Sequence, residues 1–99
     1  MPRRELRFSA SAARDLERLL NYIIEAAGTP LTAHAYVERI RARCATLTET
    51  PHVGTNHDAT RPGQRTVPFE SVIIAFEVTD RLVRIRRIFG AAQDYRHLL

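Results

Sequence analysis

The sequence predicts an α+β domain in which a helical hairpin packs on a small, mostly antiparallel sheet, in the order β-α-α-β-β-β. Three observations carry that prediction. Residues 72–89, VIIAFEVTDRLVRIRRIF, read as two strands joined by a polar turn at Thr79-Asp80-Arg81. Residues 10–27 and 30–48 each carry an apolar stripe at helical spacing. The short break between those stripes, Gly28 to Pro30, leaves the two helices no arrangement except antiparallel neighbours.

Taken in order, Glu5-Leu6-Arg7-Phe8 alternates and predicts a short strand with Leu6 and Phe8 inward. Ser9 stands at the N-cap of the first helix, because its hydroxyl can accept a first-turn amide. In that helix Leu16, Leu19, Leu20, Ile23, Ile24 and Ala27 form the buried stripe, and Asp15, Glu17 and Arg18 are expected towards solvent. Gly28 suits the left-handed C′ position, with Thr29 and Pro30 as cap and first residue of the next helix. The second helix has one clean seam, Ala33, Val37, Ile40, Cys44 and Leu47, with Glu38, Arg39, Arg41 and Arg43 off it. Tyr22 and Tyr36 fall partly off the stripes. Each either covers the edge of the core or presents a polar-tipped ring to a partner.

Thr50-Pro51 ends the second helix, and residues 51–63, PHVGTNHDATRPG, read as loop. Gln64 to Val67 predicts a short strand, and residues 68–71 turn the chain into the hairpin. Its first arm, Val72 to Phe76, is apolar without interruption, as a strand buried on both faces requires. Its second arm alternates. Strict period-2 geometry puts Val83, Ile85, Arg87 and Phe89 on one face and Leu82, Arg84, Arg86 and Ile88 on the other. The tail from Gly90 has room for one turn of helix ending in Leu98-Leu99.

The chain has 99 residues, the length of one domain, 1–99. It has no run of apolar residues long enough for a membrane span, and MPRRELRF lacks the apolar core of a secretory signal. A single cysteine excludes an internal disulfide, so a cytoplasmic protein is expected. All 15 basic residues are arginine, giving a net charge of +4. The excess is shared evenly by the two halves, which fits a codon preference. Arg81, Arg84, Arg86 and Arg87, however, fall in a stretch with no acidic residue, and that cluster points to an acidic partner.

Catalytic and metal signatures are sparse. His34, His52, His57 and His97 lack zinc-ligand spacing, and His52, His57 and Asp58 are expected in a solvated loop, so no metal and no cofactor are expected. Cys44 on the helix seam reads as a buried small hydrophobe. Ser9 and Ser11 have no histidine in a nucleophile arrangement. Asp94 and Tyr95 stand out in the tail: Tyr95 could be an acid–base residue, against the alternative that its ring packs on the sheet.

A set of short motifs, in order along nearly the whole chain, resembles the ParE branch of the ParE/RelE toxins of type II toxin–antitoxin systems. They are Phe8-Ser9 with Ala13 and Asp15-Leu16, then Tyr22-Ile23, then the Ala35-Tyr36 to Ile40 helix. Leu47, Pro51 and Gly54 follow, then Arg61-Pro62-Gly63-Gln64-Arg65, Phe76-Glu77-Val78, Arg84-Ile85-Arg86-Arg87-Ile88 and Asp94-Tyr95. The resemblance implies a toxin, not an enzyme, that inhibits DNA gyrase by protein–protein contact. It further implies a hetero-oligomer with a ParD-type antitoxin that lays its C-terminal segment across the toxin, with no nucleic acid bound directly and no membrane. On that basis Tyr22, Tyr36, Arg65, Arg84, Arg86 and Arg87 are the expected antitoxin- or target-binding residues, and an acidic antitoxin segment would complement the arginines. The tail residues Gln93, Asp94 and Tyr95 fall where the family carries a region linked with toxicity. A common His-Gly-x-Arg-Asp ending is here Gly90-Ala91-Ala92-Gln93-Asp94, so the histidine and the arginine are replaced. An Arg87–Asp94 pair would hold the tail to the last strand.

Two alternatives accompany this reading. The RelE-like branch is a ribosome-dependent mRNA endoribonuclease, which needs an acid–base pair and cations around a phosphate. Arg65, Arg84, Arg86 and Arg87 would supply the cations, and only Tyr95 would serve as acid or base. The other alternative is a degenerate, non-toxic binding module.

Overall fold

The structure, a computed structural model, describes residues 4–90. The expected helical turn of the tail, its Arg87–Asp94 pair and the residues Gln93, Asp94 and Tyr95 therefore lie outside the described residues.

The elements are β1 (Glu5–Phe8), α1 (Ala10–Ala27), α2 (Pro30–Thr46), β2 (Thr55–Asn56), β3 (Gln64–Phe69), β4 (Val72–Val78) and β5 (Leu82–Gly90). The strands form one sheet in the order β1-β5-β4-β3-β2. β2 to β5 pair antiparallel. β1 runs parallel to β5, with Leu6 opposite Val83 and Phe8 opposite Ile85. The predicted class and order hold. Two details differ from the sequence reading. The loop after α2 contains the two-residue strand β2, and β3 runs on through Pro68 to Phe69. Pro68 is tolerated because β2 pairs only with Arg65 and Thr66, so β3 has no neighbour on that side at Pro68.

The core lies between the helices and one face of the sheet. Ala12 and Leu16 of α1 meet Val37, Ile40 and Cys44 of α2, followed by Leu47; the sheet contributes Val67, Val72, Ile74, Phe76, Val83, Ile85 and Ile88. The α2 seam is buried as its spacing predicts. Burial at Cys44 pushes its thiol up to about 12, so it is a packing residue and not a nucleophile. Along α1 the cover thins. Ala12 and Leu16 are buried, Leu19, Leu20, Ile23 and Ile24 are half-buried, and Tyr22 is 68% exposed.

Both ends of α1 and the start of α2 follow their sequence signals, whereas α2 stops at Thr46, before the expected Thr48, with Leu47 as its C-cap. The Ser9 hydroxyl accepts the Ala12 amide at 3.0 Å, and Gly28 takes φ 72° while donating its amide to the Ile24 carbonyl. Thr29 takes the N-cap of α2 without a side-chain bond, and Pro30 supplies the preset first turn.

Two expectations fail. Asp15, expected towards solvent, is 7% exposed and faces β5. Its position one residue before Leu16 places it on the same helix face as Ala12 and Leu19, which is the face turned to the sheet. The second failure is the face assignment of β5. Ala75 stands opposite Arg87 and Phe76 opposite Ile85, so Arg86 is an extra residue in β5, a bulge. Past the bulge the alternation is shifted by one. Ile88, opposite Ile74, joins Val83 and Ile85 in the core. Phe89, opposite Ile73, lies with Arg87 on the other face, where the Arg87 guanidinium sits 4.9 Å from its ring centre.

One loop position has a strict requirement. Gly54 has φ 77°, and a Cβ there would lie 2.1 Å from the Thr66 carbonyl oxygen, an atom of the sheet that cannot yield. Gly54→Ala is expected to destabilise the protein by more than about 2 kcal/mol, read as a lower midpoint in urea unfolding.

Candidate functional site

The site begins where the sheet runs short. β1 ends at Phe8 opposite Ile85, so among the described residues the second half of β5 has no strand beside it on that edge. The start of α1 covers the gap. The Ser9 amide donates to the Ile85 carbonyl at 2.9 Å, and the Ser9 hydroxyl donates to the Arg86 carbonyl at 2.8 Å. One turn further on, Asp15 Oδ2 accepts the Ile88 amide at 2.8 Å. The same carboxylate takes both ends of the Arg87 fork, from Nε at 2.9 Å and from a terminal nitrogen at 3.2 Å. Hydrogen bonding to Asp15 raises the Arg87 pKa further above its already high value. Arg87 is thus a structural cation, committed to α1.

The neighbouring arginines of the cluster are differently placed. Arg84 stands between Arg7 of β1 and Glu77 of β4 in the register, is exposed, and its side chain makes no hydrogen bond or ion pair among the described residues. Arg86, at the bulge, lies 3.7 Å from Glu77 with its side chain 47% exposed, a loose surface pair. Arg84, Arg86 and Arg87 line a polar cavity of about 400 Å³ together with Ser9, Ala10 and Ser11 of the α1 N-terminus. No acidic side chain stands in the first turn of α1. A second hollow of about 320 Å³, half apolar, lies beside it between Arg7, Phe8, Leu82 and Arg84.

Arg65 does not join this group. It sits on β3, with β4 between it and β5, and donates to the carbonyls of Val53 at 2.9 Å and His52 at 3.1 Å. It pins the loop that carries Gly54. The four arginines that would surround a phosphate are therefore two groups, because a strand separates them and Arg65 is spent on backbone oxygens.

The tyrosines part company as well. Tyr36 is half-buried and bonds Ser71 Oγ at 2.5 Å, while Arg39 lies 5.3 Å over its ring and pairs with Glu70 at 3.3 Å. Those contacts clamp the β3–β4 turn, where Glu70 holds a φ of 51°. Tyr36 covers the edge of the core. Tyr22, by contrast, is exposed on α1 above a shallow groove shared with Asp15, Arg18, Leu19, Arg87 and Ile88.

In the 51–63 loop, His57 Nε2 lies 2.9 Å from Thr66 Oγ1, and Asp58 accepts the Gly63 amide at 2.7 Å and the Asn56 side-chain amide at 3.1 Å. These bonds, Gly63 first, hold the Asp58 carboxyl below the usual carboxylate range. No group of three metal-ligating side chains forms among the described residues. Nor is any described helix long and apolar enough to cross a membrane.

The sequence reading missed Asp15 and the two serines as parts of the site. The available signal was the phase of Asp15 against Ala12 and Leu16. The burial of Asp15 predicts a graded response. Asp15→Ala is expected to cost about 2–4 kcal/mol, since it strands both the Ile88 amide and the Arg87 fork. Asp15→Asn, which keeps one acceptor oxygen, is expected to cost less. Urea unfolding of both variants measures the difference.

The geometry places a partly unpaired arginine surface and an exposed tyrosine on a helical hairpin and sheet. Residues 6–95 match the family described as "ParE toxin of type II toxin-antitoxin system, parDE". Among solved structures, the chain is similar to one from the chromosomal ParDE toxin–antitoxin system of P. aeruginosa, at 25% identity and TM-score 0.76, over 88% of this chain and 95% of that one. It shares its fold with a chain of the E. coli DinJ–YafQ toxin–antitoxin complex, at 13% identity and TM-score 0.60, over 92% of this chain and 96% of that one. A second DinJ–YafQ structure gives 14% identity and TM-score 0.58, over 90% and 94%. No curated protein matches the chain. With nearly its whole length matched, the chain belongs to the ParE toxin family of type II toxin–antitoxin systems.

Proposed function

We propose that this chain acts in the cytoplasm as a non-enzymatic toxin that inhibits DNA gyrase by protein–protein contact and is neutralised by a ParD-type antitoxin. The observation that carries the reading is membership of the ParE family over residues 6–95. The surface is consistent with it. Tyr22 offers an exposed aromatic anchor on α1, and Arg84 and Arg86 offer cations to an acidic segment. The arginine cavity is lined by serine, alanine and arginine among the described residues, and no acid–base side chain faces the cations there.

The test is induction of the full-length chain alone in bacteria, following thymidine and methionine incorporation. Thymidine incorporation is expected to fall first, with a DNA-damage response. An earlier fall in methionine incorporation would overturn the gyrase reading in favour of a translation target, and growth without arrest would overturn the toxin reading altogether. Reversing charge at Arg84 and Arg86 together is expected to weaken binding of a ParD-type antitoxin by about tenfold or more and to flatten its salt dependence. Isothermal titration at two ionic strengths reads both effects.

A further inference from the structure

Arg84 differs from every other arginine of its cluster that points at a cavity. Arg87 is held by Asp15, and Arg86 has Glu77 within 3.7 Å. Arg84 has no partner among the described residues, and it alone lines both hollows on this side of the sheet. On one side of it lies the polar cavity with Ser9, Ser11 and Arg86. On the other lies the half-apolar hollow bounded by Arg7, Leu82 and the backbone edge at Phe8, whose ring is turned to the core side. The amides of Ala10 and Ser11 have no acceptor among the described residues, and the first turn of α1 brings no acidic side chain of its own.

We propose that Arg84 is the centre of a two-part peptide seat. A carboxylate side chain of an acidic peptide enters the cavity between Arg84, Arg86 and Ser11, and a neighbouring aliphatic side chain enters the hollow beside Leu82. The planar fork of Arg84 takes the carboxylate in two parallel bonds, as no lysine would. The first-turn amides of α1 add donors on the same side. Charge complementarity selects an acidic occupant, and the surroundings select a peptide over a nucleic acid. Nucleic acid binding rests on several free cations along a backbone track. Here Arg7 is paired with Glu5 and Arg86 only loosely with Glu77, so Arg84 and Arg86 make one short cationic spot and not a backbone track. The Phe8 ring is turned to the core side, where Arg41 of α2 lies 5.5 Å from it, so this side of the sheet has no aromatic platform for a base among the described residues. A half-apolar hollow beside the Arg84 guanidinium fits an acidic residue next to an aliphatic one.

This inference deepens the proposed antitoxin reading and rests on it for the partner's being a protein. The test is separate from toxicity. The purified full chain, labelled with ¹⁵N, is titrated with acetyl-Leu-Glu-Leu-amide and with its glutamine counterpart, acetyl-Leu-Gln-Leu-amide. The glutamate peptide is expected to move the Arg84 Nε–H and the Ser11 amide resonances, and the glutamine peptide to bind about tenfold more weakly or less well still. Arg84→Gln is expected to abolish the shift at Ser11, and Arg84→Lys to retain a small part of it. Leu82→Ser is expected to weaken the peptide while leaving acetate binding unchanged. The Arg84 side chain is exposed, so its variants keep the fold, and the unchanged remainder of the amide spectrum verifies this. Equal binding of the two peptides, or shifts that spare Arg84 and Ser11, would overturn the proposal. So would tighter binding of a decathymidylate, which would mark a nucleic-acid surface. A chain that arrests no growth can still bind the glutamate peptide, and a toxic chain can fail to, so the two readings fail separately.

Discussion

The carboxylate of Asp15 joins the two layers of this protein at the point where the sheet runs out of strands. β1 is four residues long and β5 is nine, so β5 outruns its neighbour. A bare β-edge would offer unpaired amides and carbonyls to any passing chain. The chain turns straight from β1 into α1, and the helix itself covers that edge. Ser9 answers Ile85 and Arg86, and Asp15 answers Ile88 and Arg87. The register of α1 on the sheet is thereby fixed by hydrogen bonds as well as by the packing of Ala12 and Leu16. An aspartate nearly out of water requires this many partners, and every buried side-chain polar atom among the described residues has one.

The same edge gives the arginines their different fates. The bulge at Arg86 shifts the alternation of β5 by one residue, which turns Ile88 into the core and leaves Arg87 beside Asp15. Arg84, before the bulge, is directed away from the core and remains unpaired among the described residues. A run of like residues in the sequence thus becomes one structural cation, one loosely paired cation and one free one. A carboxylate that satisfies Arg87 also removes it from any binding role that needs a free guanidinium. The side chains left exposed are Arg84 and Arg86 on one side and Tyr22 on the outer face of α1.

The fold alone does not choose among activities, since function lives in the site grafted on it. The similarity to the DinJ–YafQ chains, at 13 to 14% identity, is a similarity of architecture. Family membership over residues 6–95 is a stronger statement, because it follows the order and spacing of particular residues. Arg65 illustrates the distinction. Its place in the chain made it look like part of a cationic site, yet its guanidinium holds the carbonyls of His52 and Val53 and so supports the tight turn at Gly54. A residue can belong to a family pattern for reasons of folding.

The sequence by itself determined the local structure and the class of fold. The helix stripes, the Ser9 cap, the Gly28 stop and the apolar run at Val72 are properties of near neighbours in the chain, and local sterics and burial periodicity decide them. The helical hairpin followed from a break too short for anything else. What the tertiary structure alone decided depends on residues far apart in sequence. The parallel pairing of β1 with β5 unites residues some 77 positions apart, as in Phe8 with Ile85. The burial of Asp15 needs the uncovered edge of β5, which exists only once β1 has paired and stopped. The bulge at Arg86 is invisible to a period-2 reading, because one extra residue changes which side chains face inward without changing their identities. The separation of Arg65 from Arg84 and Arg86 needs the strand order, which no local pattern encodes. Local physics thus made the pieces legible, and long-range hydrogen bonding decided which charges became structure and which stayed free.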